Sequence, residues 1–154
     1  MNMSNCLKLY LERHQINYQL VPHRYTDTAF NAAKSAHITT ACMVKGVLLH
    51  DEDGYLMAAI PADKEVDIDK INSNSCRHLT LTPEETLGCV LNDCKKGAVP
   101  ALGEAFGIPT IWDEDLAYQP GFYIESGNHE ELIRLNYLDF MSLMDRPFNS
   151  SITH

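Results

Sequence analysis

The apolar positions of this chain change period several times, and each change marks an expected element. Leu7, Tyr10 and Leu11 recur at helical spacing behind Ser4, which suits an N-cap, and His14 closes the stripe. Asn17 to Val21 alternates and stops at Pro22, as a short strand near a sheet edge would. Thr26-Asp27 predicts the cap of an alanine-rich helix over residues 28–36. Its Ala29, Ala32, Ala33 and Ala36 make a face small enough to lie close on a sheet, with Lys34 solvated. Met43 to His50 has the strongest strand pattern, Asp51-Glu52-Asp53-Gly54 reads as a turn, and Tyr55 to Pro61 returns antiparallel.

Further along, Asp67 to Ile71 reads as a short helix and Leu79 with Leu81 as a brief strand. Thr82-Pro83-Glu84-Glu85 predicts a helix start, with a threonine cap and proline at the first helical position. A helical turn is expected over Glu104 to Phe106, a strand over Pro109 to Trp112, and a solvated acidic turn at Asp113-Glu114-Asp115. Phe122 to Glu125 is a strand leading into Ser126-Gly127-Asn128-His129. Glu130 to Leu135 opens with acids, as helix starts prefer, yet could equally contain a strand. Leu138 to Met144 reads as a last helix, and Asn149 to His154 as a frayed tail. Strands and helices mix without a regular βαβ alternation. The expected class is therefore α+β around a mostly antiparallel or mixed sheet, with one domain over residues 1–148 and a tail over 149–154.

Composition narrows the functional classes. The 154 residues, 45% apolar and 21% charged, suffice for a core without disulfides or metals. There is no run of about eighteen apolar residues for a membrane span. The N-terminal segment carries Lys8, Glu12 and Arg13 among its leucines rather than a signal-peptide core. Cys6, Cys42, Cys76, Cys89 and Cys94 form no CxxC pair, which points to reduced thiols in the cytoplasm and away from zinc. The histidines are scattered, and neither a metal nor another cofactor is expected. The net charge of −9 opposes nucleic-acid binding, but residues 1–50 hold five basic against two acidic residues. That third could meet a phosphate backbone weakly and in a salt-sensitive way.

Two features carry candidate chemistry. Lys45 lies among apolar residues in the strongest strand, so it either snorkels to solvent or lines a cavity for an anion or polar ligand. From Gly97 to Pro109 the chain holds three glycines and two prolines. Such a loop either connects two buried strands tightly or aims several backbone N–H groups at one point, as oxyanion holes do. P-loop, GxGxxG and GxSxG patterns are absent. Cys94 and His129 form a third option, a cysteine–histidine pair.

Three segments taken in order resemble one family. These are Val44-Lys45-Gly46-Val47-Leu48-Leu49, the loop Asp93-Cys94-Lys95-Lys96-Gly97-Ala98-Val99-Pro100-Ala101-Leu102-Gly103, and Ser126-Gly127-Asn128-His129. Their order and spacing are similar to those of the YbaK-type aminoacyl-tRNA deacylases, which include the editing insertion domain of bacterial prolyl-tRNA synthetases. The resemblance runs roughly from the Thr26 helix to Met144. It implies a curved mixed, mostly antiparallel sheet, partly barrel-like, with helices packed outside, and hydrolysis of the ester joining a wrong amino acid to tRNA. It also implies site residues. Lys45 would contact substrate in the pocket, Gly97 to Ala101 would be the GxxxP loop that holds the aminoacyl ester and terminal adenosine, and His129 would border the amino-acid pocket. Lys45, Gly97 and His129 are thus the expected catalytic group. Gly46, Ala98, Val99, Pro100, Ala101, Gly103 and Gly127 are the expected substrate contacts. Ala101 stands where the family has its closing proline, although Pro100 precedes it. Implied partners are a mischarged tRNA and a docking aminoacyl-tRNA synthetase. A module that binds a nucleotide, amino acid or aminoacyl-tRNA without hydrolysis is the alternative.

Overall fold

Residues 3–144 and 149–154 are described by the computed structural model. The first helix, α1 (Asn5–Arg13), starts where Ser4 accepts a hydrogen bond from the Leu7 N–H, and it buries Leu7 and Leu11. β1 (Gln19–Pro22) follows, and then α2 (Ala29–Ser35). The α2 cap is Thr28, whose hydroxyl accepts from Asn31, rather than the expected Thr26-Asp27. β2 (Met43–Asp51) and β3 (Gly54–Pro61) form the predicted hairpin. α3 (Ile68–Ser75) is longer than its apolar pattern suggested, because Asp67 caps it and Cys76 ends it in the left-handed region.

β4 (Thr80–Leu81) and α4 (Glu84–Val90) come next. Here the predicted threonine cap is corrected. Pro83 is the N-cap residue, and the Thr82 hydroxyl instead meets His50 Nδ1 at 3.1 Å. β5 (Thr110–Asp113), β6 (Gly121–Glu125), β7 (Glu131–Asn136), α5 (Tyr137–Met144) and β8 (Asn149–Ser150) complete the order. Residues 131–136 are therefore a strand, since pairing with both β1 and β6 outweighs an acidic start.

The strands make one mixed sheet in the order β1-β7-β6-β2-β3-β5-β8, with β4 added to β2. Its pairs are antiparallel except β2 with β6, β3 with β5 and β5 with β8. β1 and β8 end the path and do not pair with each other, so the sheet is open. Helices cover both faces. Leu7, Leu11, Phe140 and Leu143 of α1 and α5 pack on Val44, Trp112, Phe122, Ile124 and Ile133. On the other face α3 places Ile71 on Leu49, Ile60 and Ile111, and α2 places Ala32 and Ala33 on Met43 and Leu132. Burial from both sides explains the continuous apolar run of β3, buried from Leu56 to Pro61.

Two polar segments depart from expectation. Asp113 is buried, not part of a solvated turn, and its Oδ1 accepts from the Ile152 N–H and the Thr153 hydroxyl. The expected frayed tail is docked for the same reason. β8 extends the sheet on β5, Ile152 is fully buried, and Thr153 bridges Val66.

Candidate functional site

The site grows from a gap in the pairing of β2. On one side β2 pairs with β3 along its length. On the other it meets β6 only at Met43 and Val44, and β4 only at Leu49 and His50. Between those partners, Lys45 to Val47 have no strand neighbour on that edge among the described residues, and the loop after α4 comes in instead. Gly46 allows it. A Cβ there would lie 3.1 Å from Val99 Cγ1 and 3.2 Å from the Ala101 backbone.

The loop is shaped by a turn over Lys95-Lys96-Gly97-Ala98. The Ala98 N–H donates to the Lys95 carbonyl at 2.9 Å, and Gly97 has φ +80°, the third-position geometry of a type II turn. That turn is joined to the loop between β6 and β7 at two points. The Lys95 N–H donates to the Gly127 carbonyl at 2.7 Å, and His129 Nε2 donates to the Lys96 carbonyl at 2.6 Å. Because a carbonyl only accepts, Nε2 carries the proton of this hydrogen bond.

Glu125 holds the second loop. Its Oε1 accepts from the N–H groups of Gly127, Asn128 and His129 at 3.1, 3.2 and 3.0 Å. This organises a strained segment, since His129 itself has φ +66°. The amino end of α1 ties in from the other side: Ser4 N–H donates to the Ser126 carbonyl, while the Ser4 hydroxyl and Cys6 N–H donate to Asp93. Burial opposes ionisation of Asp93, but these donors prevail and hold its carboxyl below the usual range.

These elements enclose a cavity of about 210 Å³ lined by Val44, Lys45, Gly46, Gly97, Val99 and His129, with Asp27, Thr28, Ala29 and Glu125 completing the wall. Lys45 takes the cavity alternative. Its Nζ donates one hydrogen bond, at 2.8 Å, to the Lys64 carbonyl, and Lys64 is itself held by Asp115. An ammonium has three N–H groups, so one fixed bond aims the group and leaves two.

Of the expected site residues, Lys45, Gly46, Gly97, Val99 and His129 meet at this cavity, and five others lie outside its lining. Ala98, Pro100 and Ala101 are buried behind it, Ala101 in the main core. Gly103 is a packing glycine, where a Cβ would lie 2.6 Å from the Ile108 carbonyl oxygen. Gly127, at φ +110°, lets the loop pass Cys94 Sγ and Ser4. Sequence reasoning missed Glu125, seen only as the end of a strand, and the Asp27–Ala29 wall, seen only as a helix start. A carboxylate just before a Gly-Asn turn was the available signal for Glu125.

Cys94 does not line the cavity, and burial first, then Asp93, push its thiol up to about 12, far from a reactive thiolate. Among the described residues no cluster of three His, Cys, Asp or Glu could hold a metal ion, and no helix is long and apolar enough to cross a membrane. A larger groove of about 570 Å³ lies by the β2–β3 turn, where Arg77 and Asp51 already satisfy each other. None of the expected site residues reaches it.

Comparison with known proteins points the same way. Residues 23–143 match the family profile described as an aminoacyl-tRNA editing domain. No curated protein matches the chain. Among solved structures it is similar to a candidate trans-editing enzyme for prolyl tRNA synthetase, at 19% identity and TM-score 0.81, covering 98% of this chain and 96% of the other. It is also similar to the hypothetical protein APE2540, at 16% identity and TM-score 0.84 with 97% and 100% covered. A signal-transduction candidate from Marinobacter aquaeolei VT8 contains the same fold in 30% of its length, at 19% identity and TM-score 0.76 over 96% of this chain. At these identities the likeness to solved structures is one of fold.

Proposed function

The chain belongs to the aminoacyl-tRNA editing domain family, and from that premise we propose that it hydrolyses the ester of a small, wrongly attached amino acid on tRNA in the cytoplasm. The observation that carries this reading is convergence. Lys45, the Gly97 turn and His129, distant in sequence, border one small cavity. Its size fits a second sieve. One methylene discriminates between amino acids by only about 1–3 kcal/mol, so a site that admits and destroys the smaller product adds accuracy. Alanine, serine and cysteine are the candidate acyl groups.

An aminoacyl ester needs a placed water and a stabilised oxyanion. Water adds to the ester carbon, the bond to the ribose oxygen breaks, and a proton from that water ends on the ribose oxygen. Backbone donors for the oxyanion are limited. The Ala98 N–H is committed to the turn and Pro100 has none, whereas Gly97 and Val99 have no hydrogen-bond partner among the described residues. The Lys96–Gly97 peptide is trans and gives its carbonyl to His129, so the Gly97 N–H points away from the imidazole. The Gly97 N–H and the His129 ring therefore lie on opposite sides of that peptide, and only the N–H is left for an oxyanion. Lys45 serves as an electrostatic clamp on the carbonyl or a phosphate rather than as the base, since its Nζ already acts as a donor, to the Lys64 carbonyl. His129 is better cast as a positioning residue: it is 3% exposed, and its Nε2 pins the turn. The substrate's own ribose hydroxyl, as the family resemblance implies, would supply the help that no protein nucleophile gives.

Deacylation of tRNA mischarged with alanine, serine or cysteine tests the reading. Wild-type protein should release at least one of them, and Lys45→Ala should slow that release on the order of 10²-fold, as loss of one oxyanion donor does. Equal, negligible rates for both proteins on every substrate would refute it. Saturable binding with the ester left intact would favour the second reading, a capture module, which the acidic remainder of the surface also fits. A synthetase that hands over the mischarged tRNA is a proposed further partner, with the RNA contact itself weak and salt-sensitive.

A further inference from the structure

A separate cavity of about 290 Å³ lies past the other end of α2, lined by His37 and Ile38 where the candidate site has Thr28 and Ala29. Strand register builds its floor. Arg134 of β7 lies opposite Tyr123 of β6 on one side and Gln19 of β1 on the other. His37 closes α2 at φ +59°, and Thr39 and Pro120 extend the wall. The charge of this lining runs against that of the chain. The sequence has 21 acidic residues against 12 basic ones, and the two cavities described above both carry carboxylates. This one is lined by Arg134 and His37 with no acid. Arg134 makes no ion pair among the described residues, and its one hydrogen bond, to Gln19 Oε1, is stretched to 3.5 Å. Tyr123 is half-buried, and neither its hydroxyl nor the His37 ring nor the Thr39 hydroxyl has a partner among the described residues. A guanidinium fork suits carboxylate and phosphate alike, but hydroxyl donors beside it favour an anion with a third terminal oxygen. The carbonyl end of α2 would oppose an anion. Its carbonyls at Ala32, Ala33 and Lys34, however, already accept from Ala36, Ile38 and His37.

We propose that this cavity binds a small phosphate monoester, with the phosphate on Arg134 and on the Tyr123, Thr39 and His37 donors, and the organic body against Ile38 and Pro120. The volume sits at the lower end of the range for ligand pockets, about 300 Å³, so that body is small. A phosphodiester within an RNA chain has only two free oxygens and one charge, which leaves part of this donor set unused. The inference goes beyond the editing reading and does not rest on it, because none of these residues lines the Lys45 cavity.

The test is calorimetric titration of the full chain with phenyl phosphate and with inorganic phosphate. Wild-type protein should bind phenyl phosphate, and more tightly than inorganic phosphate. Arg134→Gln should weaken binding by roughly tenfold to a hundredfold, the scale of a lost hydrogen bond to a charged group. Arg134→Lys keeps the charge without the fork and should fall between the two. Tyr123→Phe keeps the ring and should lose roughly fivefold. Unchanged melting curves would show that the variants fold. Lys45→Ala should bind phenyl phosphate as wild type does, and Arg134→Gln should deacylate mischarged tRNA at the wild-type rate, so failure of this site and failure of editing are read separately. No binding by wild type at millimolar phenyl phosphate, or equal affinity in Arg134→Gln, overturns the site. Loss of binding in Lys45→Ala with none in Arg134→Gln moves the anion to the other cavity and overturns it as well. An RNA hairpin without terminal phosphates should leave phenyl phosphate bound. Its displacement by that RNA in wild type would assign the donors to a phosphodiester and refute the monoester.

Discussion

Loss of the Glu125 carboxylate should cost this fold heavily for the few atoms removed. Its Oε1 accepts three successive backbone N–H groups, those of Gly127, Asn128 and His129, and the residue is only 7% exposed. In Glu125→Ala those donors lose their acceptor together. A hydrogen bond to a charged group contributes about 1.5–3 kcal/mol. Three donors sharing one oxygen are not additive, and the cavity beside them lets some water in. A loss of about 3–5 kcal/mol follows, similar to stripping one partner from a buried ion pair. At about 2–4 °C per kcal/mol for a chain of this size, Tm should fall by roughly 6–20 °C. Glu125→Gln keeps an acceptor oxygen and should lose less than half as much. Urea titrations at pH 7 measure both. The reasoning fails if Glu125→Ala stays within about 1 kcal/mol of wild type, or if Gln proves as damaging as Ala. The consequence reaches function, because the same loop holds His129 against the Gly97 turn.

Other substitutions probe the surroundings. Gly103→Ala should destabilise by about 3 kcal/mol or more, since its Cβ would lie 2.6 Å from both the Ile108 carbonyl oxygen and Thr110 Oγ1, and the carbonyl cannot swing aside as a side chain can. Chemical denaturation gives the value, and a near-neutral result would mean the β5 approach is soft. Glu104 offers a pH test. Burial, with its Oε1 unpartnered among the described residues, raises its carboxyl above the ordinary 4.5. Between those two pKa values the folded chain binds more protons than the unfolded one, so this group's contribution makes stability fall as pH rises through that window. Glu104→Gln should remove that part of the slope, and unfolding curves from pH 4 to 7 that remain parallel for the two proteins would contradict it.

Much of the architecture was legible in the order of residues. The Ser4 cap, the Met43–Pro61 hairpin and the alanine face of α2 are local consequences of capping chemistry, turn residues and side-chain period, which neighbours in sequence suffice to set. Where a polar group's partner lies far along the chain, local reading failed. Asp113 looked like part of a solvated turn because its donors, Ile152 and Thr153, come about forty residues later. The tail looked frayed for the same reason, its partners being β5 and Val66.

The candidate site divides along the same line. Glycine at 97 and a lysine in a strand were visible as oddities, and family resemblance put names to them. Which residues share the cavity was settled by the break in β2 pairing, since strand neighbours are chosen by non-local hydrogen bonds. That break left Lys45 and Gly46 beside the loop and set Gly103 and Gly127 to packing duties instead. Residue types alone could state which groups were able to do chemistry. Only the closing of strands and loops around them could decide which ones face the same cavity, because a shared cavity is a property of distances that no single segment contains.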